Sequence, residues 1–253
     1  MMFRMKQKQF FLIITSVIIV ACGTATSVDS ETDEQQIIWP FFEEMLKAHG
    51  ELGNYSFTFR GDYYAFEHHS NGEYTYKKQI ENDTLIRLDV LTNDGFSRTE
   101  NGVEVKLTEL EQNKYSESLN SVVYFACLPL KLNDSAVKKA HKGEVDIKGV
   151  TYDVVEVSFS QDGGGTDFED VFYYWINQEN HLVDYLAYQY NVNGGGVRFR
   201  EAFNSRMVGK MRFQDYINYG APVGTALPQL PVLFEQGKLD TLSFIISEDI
   251  TPL

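Results

Sequence analysis

The chain has 253 residues, 43% of them hydrophobic, with 22 Lys and Arg against 36 Asp and Glu and a formal net charge of −14. So acidic a surface repels nucleic acid and anionic bilayers, which excludes a nucleic-acid partner and membrane attachment through a basic patch. Its two cysteines, Cys22 and Cys127, leave no internal disulfide once Cys22 is otherwise used, so apolar burial must hold the folded part.

Arg4, Lys6 and Lys8 precede an apolar stretch at 10–20 that is broken only by Thr15 and Ser16. A positive start, a short apolar core and a small residue before the cut mark a secretory signal. The stretch holds about 11 residues, whereas a spanning helix needs roughly 20. Ile19-Val20-Ala21-Cys22 resembles the lipobox of bacterial lipoproteins. The resemblance implies that 1–21 is a signal peptide and that Cys22 bears diacylglycerol and an acyl chain such as palmitate. The lipid on Cys22 is then the membrane contact. Two or more acyl chains anchor firmly, at about 0.8 kcal/mol per buried methylene. Gly23 after the cysteine, in place of Asp, resembles an outer-membrane sorting signal. The polar, acidic stretch 22–35 is expected to be a disordered tether, followed by a single domain at 36–253.

That domain opens with a helix. Ile37, Ile38, Phe41, Phe42, Met45, Leu46 and His49 recur at helical spacing, Pro40 is expected in the first turn, and Gly50 stands at the C-terminal cap. Alternating strands follow at 55–60, 62–68, 73–80, 84–91, 94–99 and 102–106. They are separated by Asn71-Gly72, Asn82-Asp83, Asn93-Asp94-Gly95 and Asn101-Gly102, which suit hairpin turns. Residues 107–140 break the pattern. Leu110, Leu119, Val122 and Val123 fit a helix ending before Pro129, and Asn133 and Asp134 suit the cap of a second helix at 135–141. Cys127 lies in the apolar run 122–130 and reads as a core residue rather than a nucleophile.

Strands resume at 144–148 and 151–159. Gly163-Gly164-Gly165 then recurs as Gly194-Gly195-Gly196, and the same shift of 31 residues carries Phe168 to Phe199, Phe172 to Phe203, Asp184-Tyr185 to Asp215-Tyr216 and Tyr188 to Tyr219. The two units predict four long, adjacent antiparallel strands, which tend to curl. A short helix at 232–236 and a strand at 239–247 close the chain.

The order of helix, long meander, inserted helices and more meander resembles the lipoprotein-carrier superfamily typified by LolA and LolB. It implies an α+β fold: a long antiparallel meander curled into a half-open barrel, with the N-terminal and inserted helices on its concave face. Strings such as Ser121-Val122-Val123-Tyr124-Phe125-Ala126 and Arg212-Phe213-Gln214-Asp215-Tyr216 are similar to an uncharacterised family of Gram-negative envelope lipoproteins.

Alternation along 197–207 and 211–219 assigns Phe199, Phe203, Phe213, Ile217 and Tyr219, with Glu201 and Asp215, to one face, which is the expected cavity lining. Arg198, Arg200, Arg206 and Arg212 take the other face, a candidate anion-binding surface. Two acids on an apolar face need partners or water. They are either a general acid/base pair or structural groups. Asp162, Asp167, Glu169 and Asp170 crowd one loop that could hold Ca²⁺, although their spacing fits no standard ligand loop. The triple glycines lead into strands, unlike a phosphate loop, and the scattered histidines offer no zinc spacing. There is no Gly-x-Ser-x-Gly.

The resulting expectation is a non-catalytic envelope lipoprotein, either periplasm-facing or surface-exposed. It would bind a hydrophobic or amphipathic ligand, a lipid or a lipoprotein, in a concave cavity. It would act as a monomer or as part of an envelope complex. The alternatives are an accessory subunit of an outer-membrane complex with no ligand cavity, and a hydrolase built on Glu201 and Asp215.

Overall fold

The computed structural model describes the backbone of residues 30–39 and, in full, residues 40–134, 136–159, 170–190 and 194–253. The chain begins with α1 (Ser30–His49). Six strands follow: β1 (Tyr55–Phe59), β2 (Asp62–His68), β3 (Tyr74–Glu81), β4 (Ile86–Thr92), β5 (Gly95–Glu100) and β6 (Val103–Glu104). After α2 (Glu109–Ala126) come β7 (Val137–Ile147), β8 (Val150–Phe159), β9 (Val171–Asn177), β10 (Val183–Tyr190), β11 (Gly196–Val208) and β12 (Met211–Ala221). The tail forms α3 (Leu230–Glu235), β13 (Asp240–Ile245) and β14 (Glu248–Pro252).

The strands make two seven-stranded sheets, ordered β14-β1-β2-β3-β4-β5-β6 and β13-β12-β11-β10-β9-β8-β7, with antiparallel pairing throughout. The C-terminal sheet is a meander of sequence neighbours throughout, and the N-terminal sheet is one except at β14. The tail pairs β13 with β12, crosses over two residues, and pairs β14 with β1. The chain thereby links the two sheets through its C-terminal segment, and β6, β7, β13 and β14 are the sheet edges. This is an unclosed, curled α+β meander.

The hairpin signals fall at the observed turns. Asn101 and Gly102 both take positive φ (49° and 79°), as a two-residue turn with the twist of its flanking strands requires. Gly50 is fixed more tightly. Its φ is +87°, and a Cβ there would lie 2.0 Å from the carbonyl oxygen of Lys210. The end of α1 thus runs directly onto β12, where Gly50 bridges to Met211 and Arg212 Nε donates to the helix-terminal carbonyl of Ala48 at 2.9 Å. α2 starts at a complete capping box: the Thr108 side chain accepts from Glu111 N–H while the Glu111 carboxylate accepts from Thr108 N–H.

Both faces of the C-terminal sheet are buried. Along β9, Phe172, Tyr174 and Ile176 pack towards Phe42 and Met45 of α1, while Tyr173 and Trp175 pack with Leu227 and Leu230 of the tail. The N-terminal sheet packs Phe57, Phe66 and Tyr76 against Leu119 and Val123 of α2 and Cys127 at its end.

Four expectations need correcting. Pro40 lies inside α1, not in its first turn, because the helix starts at Ser30 within the stretch read as a tether. The second helix expected at 135–141 is absent. Val137–His141 belongs to β7, paired with β8, and the preceding turn is a short 3-10 helix, Leu130–Asn133. Ser135 lies outside the described residues. Tertiary pairing overrides a local helical pattern here, since β8 supplies a partner for every extended residue. The last strand is two strands, β13 and β14, which serve different sheets. The 31-residue repeat does place four adjacent strands, but not equivalent faces. Tyr185 packs on the tail side and its counterpart Tyr216 on the helix side, and a bulge between Val183 and Tyr185 shifts the alternation.

Candidate functional site

A cavity of about 950 Å³ opens where α2 meets the inner faces of the two sheets. Its size is at the upper end of the roughly 300–1,000 Å³ usual for small-molecule sites. α2 contributes Val122 and Phe125; the C-terminal sheet contributes Phe172, Tyr188 and Tyr216; the N-terminal sheet contributes Phe57 and Tyr76. The wall is thus rich in aromatic rings, interspersed with polar and charged side chains such as Arg60, Asn113, Asn120 and Gln214. The same helix buries Leu119 and Val123 against the first sheet, so one amphipathic segment both completes the core and roofs the cavity.

Two arginines stand on this inner face. Arg198 Nη2 donates to Tyr190 Oη at 2.5 Å, and Arg200 Nη2 donates to Tyr188 Oη at 2.8 Å. In register, Arg198 faces Tyr188 across the β10–β11 pair, so each bond runs to the tyrosine two residues from the directly opposed position. The Arg200 guanidinium lies 3.9 Å from the Phe125 ring centroid and 5.1 Å from that of Tyr188. Arg200 is only 7% exposed. Among the described residues it has no carboxylate in ion-pair range, and its Nε meets no acceptor. On the opposing strand, Asn218 Oδ1 is likewise buried without a donor. Burial pushes the Tyr216 hydroxyl up to about 12, with the Arg200 charge working against that rise. Tyr216 is thus a neutral hydrogen-bonding group at physiological pH.

The candidate cavity residues fall elsewhere. Phe199 and Tyr219 pack on the outer face under the tail, with their rings 5.2 Å and 5.3 Å from Phe234 of α3. Phe203 lies against Phe244, Ile217 pairs with Phe244 in register, and Phe213 stacks edge-on with Tyr55 at 5.1 Å. None of these lines the cavity, and neither does Glu201 or Asp215. The tail covers Phe199 and Tyr219, Phe213 packs in the core beside α2, and of the expected arginine face only Arg198 and Arg200 meet the cavity.

The acids and the remaining arginines have structural partners. Glu201 accepts from Lys148 at 3.0 Å and from Tyr219 Oη at 3.0 Å. Asp215 is 1% exposed and accepts from Asn204 Nδ2 at 2.6 Å, Arg206 at 3.1 Å and Ser247 N–H at 3.0 Å. Arg206 in turn donates to the Ser247 carbonyl at 2.5 Å. This cluster fastens the tail where it crosses from one sheet to the other. Asn204, at φ 49°, sits in the β11 bulge that brings Arg206 and Asp215 together. Arg212 closes the end of α1, so Arg206 and Arg212 are not part of one arginine surface with Arg198 and Arg200. Glu201 and Asp215 are thus separately paired carboxylates, in keeping with the structural reading of them.

Cys127 is fully buried in the first core, and burial pushes its thiol far up. Among the described residues no group of three or more His, Cys, Asp or Glu could hold a metal. Asp162, Asp167 and Glu169 of the candidate Ca²⁺ loop lie outside the described residues, as do Gly163, Gly164, Gly165 and Phe168; Asp170 borders the cavity. Cys22 and residues 1–29 also lie outside them. No helix among the described residues is long and apolar enough to cross a membrane.

Similar folds are found among solved structures. A DUF1329 family protein from Desulfovibrio piger aligns over 87% of this chain and 93% of its own, with a TM-score of 0.51 and 9% identity, which establishes a shared fold. A LolA superfamily protein from Nitrosomonas europaea aligns over 85% and 92%, with a TM-score of 0.48 and 11% identity. The Mycobacterium tuberculosis lipoprotein LppX aligns over 64% and 91%, with a TM-score of 0.26 and 10% identity. No curated protein sequence matches the chain. Residues 27–247 match the model of DUF6503, a family of unknown function, and the chain belongs to that family.

Proposed function

We propose that this protein is a lipid-anchored envelope protein that binds a hydrophobic or amphipathic ligand in its inner cavity, without catalysis. The cavity itself carries the reading. Some 950 Å³ with an aromatic wall persists in an interior where α1 and α2 already bury Phe42, Met45, Leu119 and Val123. A scaffold with a fully packed interior would leave no such space. The lipobox supports an envelope address, with Cys22 as the lipid-bearing residue.

Two measurements test this. Native mass spectrometry of the full-length protein extracted from membranes in mild detergent should reveal bound lipid-like molecules beyond the anchor; consistent recovery of only the anchored chain counts against the cavity reading. A Cys22→Ser protein should lose lipid labelling and leave the membrane fraction while melting normally. Continued membrane fractionation would refute the anchor.

A further inference from the structure

We infer that the cavity takes an amphiphile with an anionic headgroup, whose oxygens are held by Arg200 and Arg198 while its apolar chain lies along Phe125 and Phe172. The inference rests on the cavity being a ligand site, and it names the ligand's chemistry.

The first observation is Arg200 itself. An arginine only 7% exposed normally faces a carboxylate, because an unpaired buried charge loses its hydration with nothing in return. Arg200 has ring faces and one tyrosine oxygen instead, and its Nε–H is left for an acceptor that the described residues do not supply.

The second observation concerns donors. An arginine can only donate, so Tyr188 and Tyr190 accept in their bonds to Arg200 and Arg198, and each keeps its own hydroxyl hydrogen to give. Arg198, Arg200, Tyr188 and Tyr190 together present a surface of donors, which matches oxygens bearing negative charge. The third observation is the local charge balance. Arg60, Lys131, Arg198 and Arg200 border the cavity against Glu117, Asp134 and Asp170, so this surface is net positive in a chain of −14. Lys131 and Asp134 pair with each other at 2.9 Å, which leaves this balance unchanged. The aromatic wall beside the guanidinium then suits a hydrocarbon chain rather than a second polar group.

The test titrates full-length protein, held in a non-ionic detergent, with oleate, methyl oleate and inorganic phosphate, and reads bound ligand by native mass spectrometry. Oleate should bind about tenfold more tightly than its uncharged ester, as a charge-assisted hydrogen bond implies. Arg200→Gln should bring oleate down to the affinity of the ester, and Arg198→Gln should do so in part. If Arg200→Gln does not fold, Tyr188→Phe with Tyr190→Phe removes hydroxyl donors while keeping the rings, and should reduce the preference. Equal binding of oleate and methyl oleate to the unaltered protein overturns the headgroup assignment and leaves the apolar cavity standing. Binding of neither overturns both readings. Displacement of oleate by millimolar phosphate identifies a free-anion site and overturns the amphiphile assignment.

Discussion

Arg98 in the N-terminal sheet and Arg200 in the C-terminal sheet are equally buried, each 7% exposed. Both lie over an aromatic ring of α2: Arg98 is 3.8 Å from the centroid of Tyr115, and Arg200 is 3.9 Å from that of Phe125. They differ in what neutralises them. Arg98 makes a two-pronged pair with Asp89 on the neighbouring strand, Nε to Oδ1 at 2.6 Å and Nη2 to Oδ2 at 2.7 Å. Arg200 has no carboxylate among the described residues, and it opens onto a cavity. One sheet spends its buried charge on internal structure, whereas the other keeps a charge whose complement is not within the described fold. On the proposed reading, the partner missing beside Arg200 is the anionic headgroup of the ligand.

This contrast can be broken by substitution. Asp89→Ala should lower stability by about 3–5 kcal/mol in denaturant melts, because it strands Arg98 as a buried unpaired cation. A loss below about 1 kcal/mol would mean that the pair is not structural. Acid provides a second handle on the N-terminal sheet. His68 of β2 bonds Tyr76 Oη at 3.0 Å, and burial depresses it to about 4, below its ordinary value near 6.5. The unfolded chain therefore takes up the proton first on acidification. Stability is full above about pH 6.5 and falls towards pH 4, by about 3 kcal/mol at most. Burial also lowers His49 of α1, which adds in the same direction. His68→Gln should shrink the loss measured between pH 7 and 4.5. If the slope is unchanged, His68 is not a source of the acid sensitivity. The smallest effect belongs to Arg200→Met, which should change stability by no more than about 1 kcal/mol, since replacing a buried charge with an apolar side chain is often neutral or stabilising. A large loss there would place Arg200 with Arg98 as a structural group and remove the asymmetry.

The first meander was legible because its turns are written in Asn-Gly and Asn-Asp-Gly pairs, which admit few other conformations. The helix α2 was legible from the spacing of Leu119, Val122 and Val123 and from Pro129 beyond its end. The second meander revealed its strands but not their faces. Alternation tells the two sides of β11 apart, yet it names the inner side only when one side is solvated. Here both are covered, and Phe199 under the tail is as buried as any residue facing the helices. The covering segment is contributed by residues 222–239, which are far from β11 in sequence and rich in proline. The structural reading of Glu201 and Asp215 agrees with their Tyr219 and Arg206 partners, but the partners of Asp215 are assembled by a bulge and by the tail crossing, neither of which is visible in a local pattern. Had the pairing of β10 with β11 been used, the recurrence of Tyr188 and Tyr190 opposite Arg198 and Arg200 would have indicated an inner polar cluster.

The most direct test of the central claim is to locate the ligand. Full-length protein irradiated with a fatty acid carrying a mid-chain diazirine, then digested and sequenced by mass spectrometry, should carry adducts on the inner wall: 120–126 of α2 and the strand segments around Phe172 and Tyr188. Adducts confined to the exposed outer residues Leu242 and Phe244 of β13, or labelling that excess oleate does not suppress, would contradict an amphiphile site in the cavity.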